Sequence, residues 1–133
     1  NCYGAYELAG ALIDTEYPLA QWNVYAWHFS DGEDFDTNRT VAELKKLFAR
    51  KINMFGYGEI RIGGYWRLSP SVSDSQLFTA FSKAFVVDKT EEEGVCVLTG
   101  RSDPFLGVVV TQKEHIFPAI KQFLKKDRWT THA

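Results

Sequence analysis

The sequence predicts an α/β fold, a three-layer α-β-α arrangement on a mostly parallel sheet, and three observations predict it. Apolar runs at Trp22–Phe29, Ile52–Ile62 and Leu106–Thr111 show little alternation, as strands do when both their faces are covered. Segments with apolar residues at i, i+3, i+4 and i+7 lie around them, the period of helices packed on a sheet. The elements then alternate α-β-α-β-α-β-α, the order of right-handed crossover units. At 133 residues, 45% hydrophobic and 15% aromatic, the chain is one domain's worth with ample material for a core.

In order along the chain, Ala5, Leu8, Ala9, Leu12 and Ile13 share a helix face between residues 3 and 17, with Asn1 placed to cap its start. Pro18 ends that helix by forcing Tyr17 toward an extended conformation. Trp22–Phe29 follows as a strand and stops at Ser30-Asp31-Gly32. A polar loop over residues 32–38 leads to Thr40-Val41-Ala42-Glu43, which has capping-box spacing, and to a helix with Leu44, Leu47 and Phe48 on one face, ending near Lys51. Ile52–Ile62 reads as the second strand; Gly56 and Gly58 fall on one face of it, where a helix or another backbone should approach closely. After Gly63-Gly64 and a loop over residues 65–72, Ser73 to Gln76 again has capping-box spacing, before a helix carrying Leu77, Phe78, Phe81, Ala84 and Phe85. Residues 88–94, DKTEEEG, read as a solvated acidic turn. Val95–Thr99 and Leu106–Thr111 read as short strands. A final helix starts near Glu114, which keeps Pro118 in its first turn, and reaches about Lys126, with a frayed tail over residues 129–133.

The charge balance excludes some classes of partner. Fifteen basic and 17 acidic residues give a net charge of −2, with no basic cluster to follow a nucleic-acid backbone. No apolar run approaches the roughly 20 residues that cross a bilayer, and no signal-like segment opens the chain, so a cytoplasmic protein is expected. Cys2 and Cys96 read as two buried thiols, and the Asn38-Arg39-Thr40 sequon as accidental. The chain begins Asn-Cys-Tyr without an initiator Met, the mark expected of a piece of a longer protein.

Asp31 is the first candidate for function. A strand that stops at Asp-Gly places a carboxylate at its carboxyl end, where open α/β sheets bind ligands and ions; the plainer reading is that Asp31-Gly32 only turns the chain. Ser30, Gly32, Glu33 and Asp34 complete a candidate binding loop, in which the acids, with Asp36, lack the spacing of an EF-hand. His28 reads as a hydrogen-bonded core histidine, since strand alternation throws it and Asp31 to opposite faces. Glu59 and Arg61 share a strand face, as a buried pair or, more simply, at an exposed strand end. Trp22, Tyr65 and Trp66 form a candidate aromatic partner surface, the alternative being that they cover the edge of the core.

The blocks WNVYAWHFSDGEDF, NMFGYGEI and VVVTQKEHIFPAIKQFL resemble, in that order, the carboxyl-terminal part of the YeaH/YhbH-like sporulation-associated family, which has a von Willebrand factor A-type fold. The likeness runs from Tyr3 to Lys125 and is weakest between Phe85 and Phe105. In a von Willebrand A domain three loops hold a divalent cation, and the resemblance implies that only the third, an Asp, has a counterpart here, at Asp31. It therefore implies the second half of such a domain, with Mg²⁺ in a full-length parent and none in this fragment. It also implies a protein-interaction module rather than an enzyme, working with a PrkA-type serine kinase and a SpoVR-like protein in stress or sporulation responses. A metal-dependent hydrolase using Asp31, or a free-standing oligomerising domain without metal, are the alternatives. The strand matching Trp22–Phe29 is central in that fold, so its missing neighbour leaves an apolar edge, for which self-pairing as a homo-oligomer is expected.

Overall fold

The computed structural model describes residues 1–62 and 75–125. The chain runs α1 (Cys2–Thr15), β1 (Tyr25–Ser30), α2 (Thr37–Ala49), β2 (Met54–Ile60), α3 (Gln76–Ala84), β3 (Val87–Glu92), β4 (Val95–Gly100), β5 (Phe105–Val110), a 3-10 turn (Lys113–His115) and α4 (Ile116–Leu124). The strands form one five-stranded sheet in the order β1-β2-β5-β4-β3. β1, β2 and β5 are parallel, as the sequence predicts, whereas β4 and β3 are antiparallel additions at one side. The sheet is therefore mixed rather than mostly parallel.

Alternation divides the sheet residues between two cores, which makes three layers. One core joins Phe55, Tyr57, Leu98, Phe105 and Val109 to Tyr6 and Ile13 of α1, Leu44, Leu47 and Phe48 of α2, and Leu77, Phe78 and Phe81 of α3. The other joins Met54, Val95, Val97, Leu106, Val108 and Val110 to Ala119 and Phe123 of α4. Among the described residues three helices thus share one face while α4 lies on the other, and part of that second face is bare.

Several sequence expectations are corrected. Trp22–Phe29 is not covered on both faces: the strand is Tyr25–Ser30 with alternate residues exposed, and it lies at the edge of the described sheet, as the resemblance implies. Residues 88–94 are not an acidic turn. Val87–Glu92 is a strand whose charges face solvent at the opposite edge, and Glu93-Gly94, with φ of 51° and 80°, makes the two-residue hairpin turn to β4. Helix α2 begins at Thr37, capped by the Asp36 carboxylate accepting from the Arg39 N–H at 3.0 Å, so Thr40 is an interior residue and not the cap. Helix α3 is capped by Ser75 rather than Ser73. Asn1 caps α1 as expected, its side chain accepting from the Gly4 N–H at 3.3 Å. Gly63-Gly64 and residues 65–72, with Tyr65 and Trp66, lie outside the described residues, as does the tail from 126 onward.

Candidate functional site

The loop after β1 is shaped by two successive side-chain turns. The Ser30 hydroxyl oxygen accepts from the Gly32 N–H at 3.0 Å, and the Asp31 carboxylate accepts from the Glu33 N–H at 3.1 Å. Gly32 has φ of 94°, and a Cβ placed there would lie 2.5 Å from the Ser75 hydroxyl and 2.6 Å from a Glu59 carboxylate oxygen. No other residue fits that position. Its carbonyl accepts from the Leu77 N–H at 3.0 Å, and the Gln76 side chain accepts from the Asp34 N–H at 3.0 Å, which ties the loop to the start of α3.

Beneath the loop lies a buried carboxylate. Glu59 is wholly enclosed at the carboxyl end of β2, where it accepts from Tyr57 Oη at 2.7 Å, from the Ser75 hydroxyl and from Arg61 Nε, all with side chains withdrawn from solvent. The Arg61 guanidinium also sits 5.3 Å from the centre of the Phe78 ring. The expectation of an exposed strand end for Glu59 and Arg61 is thus wrong. Burial, then the neighbouring Glu59 charge, pushes the Tyr57 hydroxyl far up from its ordinary value, so Tyr57 is a donor at any ordinary pH.

A second polar group joins α1 to the loop. Tyr6 Oη and His28 Nδ1 are 2.7 Å apart, Cys2 Sγ lies 3.9 Å from His28 Nε2, and the inward Asp34 carboxylate accepts from the Thr40 hydroxyl and, at 3.4 Å, from the Cys2 N–H. Burial lowers the His28 pKa against the opposing pull of Asp34. Burial and then Asp34 push the Cys2 thiol up to about 11, so at neutral pH it is not a thiolate nucleophile. His28 is the hydrogen-bonded histidine that the sequence predicts.

The loop's carboxylates point apart. Asp31 is exposed, Asp34 is turned inward and committed to Thr40, and Gly32 brings no side chain. Among the described residues no group of three His, Cys, Asp or Glu side chains could hold a metal. Mg²⁺ needs near-octahedral oxygen coordination, which this loop's own side chains do not make.

The bare part of the sheet is the other candidate. Tyr25, Trp27 and Phe29 project from one face of β1 and keep 39%, 46% and 58% of their surface exposed. Trp27 and Phe29 lie over Gly56 and Gly58, their partners in register on β2, so the close approach that the two glycines predict is made by these rings and by Phe123 of α4. Phe29 meets Phe123 edge-on at 6.1 Å. At about 100° per residue, Ile116, Ile120 and Leu124 follow Phe123 round α4 onto the flank nearest β1, where they are exposed. Lys121 and Lys125 fall on the other flank and pair with Glu93 and Glu92. Exposed apolar side chains of α4 and of β1 therefore lie on the same face of the sheet. Trp22 is also exposed, packed edge-on against Tyr17 at 5.4 Å.

A family model described as "Protein of unknown function (DUF444)" matches residues 2–127. The chain belongs to this DUF444 family. Curated relatives of the DUF444 chain carry the name UPF0229 protein. That of Ruminiclostridium cellulolyticum is 30% identical over 122 residues, covering 91% of this chain and 25% of the relative. That of Bacillus cereus strain B4264 is 29% identical over 127 residues, covering 95% and 26%. One from Oceanobacillus iheyensis is 42% identical over 69 residues, covering 51% and 17%. The chain thus spans about a quarter of the length of the first of these relatives. No solved structure matches it.

Sequence reasoning missed the Glu59 cluster and the exposed aromatic face of β1 in this DUF444 chain. Tyr57, Glu59 and Arg61 are spaced by two, so they share a face, and Ser75 is a capping residue. That the two meet depends on how α3 returns to the sheet. The aromatic face had a partial signal in the two glycines, over which the rings of Trp27 and Phe29 lie.

Proposed function

We propose that this chain is a protein-interaction module, a von Willebrand A-like half-domain that recognises partners through the exposed aromatic face of β1. The observation that carries the reading is the contrast between the two sheet edges. β3 bears Asp88, Lys89, Glu91 and Glu92 and is guarded by charge, whereas β1, YAWHFS, carries no charged residue and three exposed aromatic rings. The parallel trio with its Asp-Gly loop at the carboxyl end of β1 supports the von Willebrand likeness. By the family resemblance the partners are a PrkA-type serine kinase and a SpoVR-like protein in the cytoplasm, with Mg²⁺ at Asp31 only where a longer parent adds ligands. No helix among the described residues is long and apolar enough to cross a membrane.

The test uses purified components. Immobilised chain should retain the kinase or the SpoVR-like protein, and Trp27→Lys should remove that retention while leaving the fold intact by circular dichroism. Retention unchanged by Trp27→Lys refutes the assignment of the surface. Turnover of a generic phosphoester that needs Mg²⁺ and is lost in Asp31→Ala would replace this reading with the hydrolase.

A further inference from the structure

The first turn of α3 is closed by a group from another part of the chain. A helix leaves its first N–H groups without partners of its own. In α3 the Phe78 N–H donates to the Ser75 hydroxyl oxygen at 3.0 Å and the Thr79 N–H to the Ser75 carbonyl at 3.0 Å, both local contacts. The Leu77 N–H instead donates, at 3.0 Å, to the carbonyl of Gly32 in the loop that carries Asp31. Leu77 is wholly buried, so water does not take the place of that carbonyl, and a buried N–H left without an acceptor costs the full desolvation of the group. The loop therefore cannot leave while the turn stays wound.

The dependence runs the other way as well. The Asp34 N–H donates to the side chain of Gln76, the first residue of α3, at 3.0 Å, so unwinding the turn takes away an acceptor that holds the loop. Ser75 lies between the two: its hydroxyl caps the helix and donates to the enclosed Glu59 carboxylate. Gly32 is packed against these same two side chains, with no room for a Cβ.

We infer that the Asp31 loop and the first turn of α3 open and close as one unit, so that what engages the loop is felt at α3. Asp31 is the outward part of this unit, an exposed carboxylate whose Oδ1 shapes the loop by accepting from the Glu33 N–H. The coupling is reciprocal: a ligand that holds the loop in this position makes opening of the turn rarer, and one that draws the loop away unwinds it. The body of α3 stays in place, because Phe81 and Phe85 stack and cross with Phe55, Tyr57 and Phe105 in the aromatic core. None of these bonds involves the aromatic face of β1, so the inference stands apart from the proposed interaction surface.

Native-state hydrogen exchange resolved by residue tests this, since amides that open together share one opening equilibrium. The Asp34, Leu77 and Phe78 amides should open alike and more often than the Phe85 amide, which donates to the Phe81 carbonyl at the far end of the helix. Ser75→Ala removes a hydroxyl that accepts from neither Asp34 nor Leu77. It should nevertheless speed exchange at Asp34, Leu77 and Phe78 by a common factor, about five-fold for a lost cap, and leave Phe85 unchanged. Gln76→Ala, at an exposed position, removes the acceptor of the Asp34 N–H and should speed Leu77 and Phe78 together with Asp34; it carries the test if Ser75→Ala does not fold. Acceleration confined to Phe78 in Ser75→Ala, or to Asp34 in Gln76→Ala, overturns the inference, because the loop and the turn would then open separately. Exchange unchanged at all three amides in both variants overturns it too.

Discussion

Replacing Glu59 by Gln tests the account of the buried cluster at the strand ends. The substitution keeps shape and leaves one oxygen able to accept from Tyr57 and Ser75, but it turns an amide NH₂ toward Arg61. The charge-assisted bond to Arg61 Nε is lost, and a guanidinium whose side chain is only 10% exposed loses the carboxylate on that nitrogen. Breaking a buried pair from one side costs about 3–5 kcal/mol, and because Arg61 keeps some solvent and the Phe78 ring, the lower end, about 3 kcal/mol, applies. Urea unfolding followed by tryptophan fluorescence measures it. With a slope of about 1.5 kcal/mol per molar, a usual value for a small domain, the midpoint should fall by about 2 M with the slope unchanged. The Leu77 amide, bonded to the Gly32 carbonyl, should also exchange faster, since the loop and α3 are joined over the same carboxylate. Removing both partners, as Glu59→Leu with Arg61→Leu, should cost less than Glu59→Gln plus Arg61→Leu taken separately. A midpoint shift below about 0.5 M for Glu59→Gln would refute the reasoning, because it would mean that the carboxylate is not neutralising a desolvated cation.

Three further outcomes follow from the same geometry. Gly32→Ala should destabilise by about 2 kcal/mol or more, since φ of 94° is strained for any Cβ and the added atom meets Ser75 and Glu59; unchanged thermal unfolding would contradict it. His28 is held below its ordinary pKa by burial, so the folded state prefers it neutral, and its contribution is present above the unfolded value near 6.5 and lost as pH falls through the folded one. Stability should therefore fall from pH 7 toward 5, and the fall should be smaller in His28→Asn, as read by urea midpoints. Calorimetric titration of this chain with Mg²⁺ should show no saturable micromolar binding at Asp31; tight binding abolished by Asp31→Ala would show that the loop completes a cage after all.

Much of the scaffold was legible because it rests on local periodicity. The three parallel strands, the four helices of the described residues and the Asn1 cap follow from runs, spacing and capping chemistry that a few consecutive residues express. The capping boxes at Thr40 and Ser73 misled for the same reason: a Ser or Thr three residues ahead of a Glu or Gln is a frequent pattern. Asp36 and Ser75 won because their oxygens reach the free N–H groups of the first turn. Val87–Glu92 was misread because its charges face solvent, and only the Glu93-Gly94 turn and the pairing with β4 make it a strand.

By itself the sequence determined the family, an α/β architecture with three parallel strands and the position of Asp31-Gly32 at a strand end, all properties carried by neighbours along the chain. It also supplied β1 with aromatic rings and no charges. Only the tertiary structure decided what those residues do. It left one face of β1 exposed, because which helices cover each face of a sheet is not written in a strand's own periodicity. It turned Asp34 inward to Thr40 and left Asp31 outside. It also brought Glu59, Arg61, Tyr57 and Ser75 together, because enclosing one carboxylate among three donors required the start of α3 to close over the end of β2.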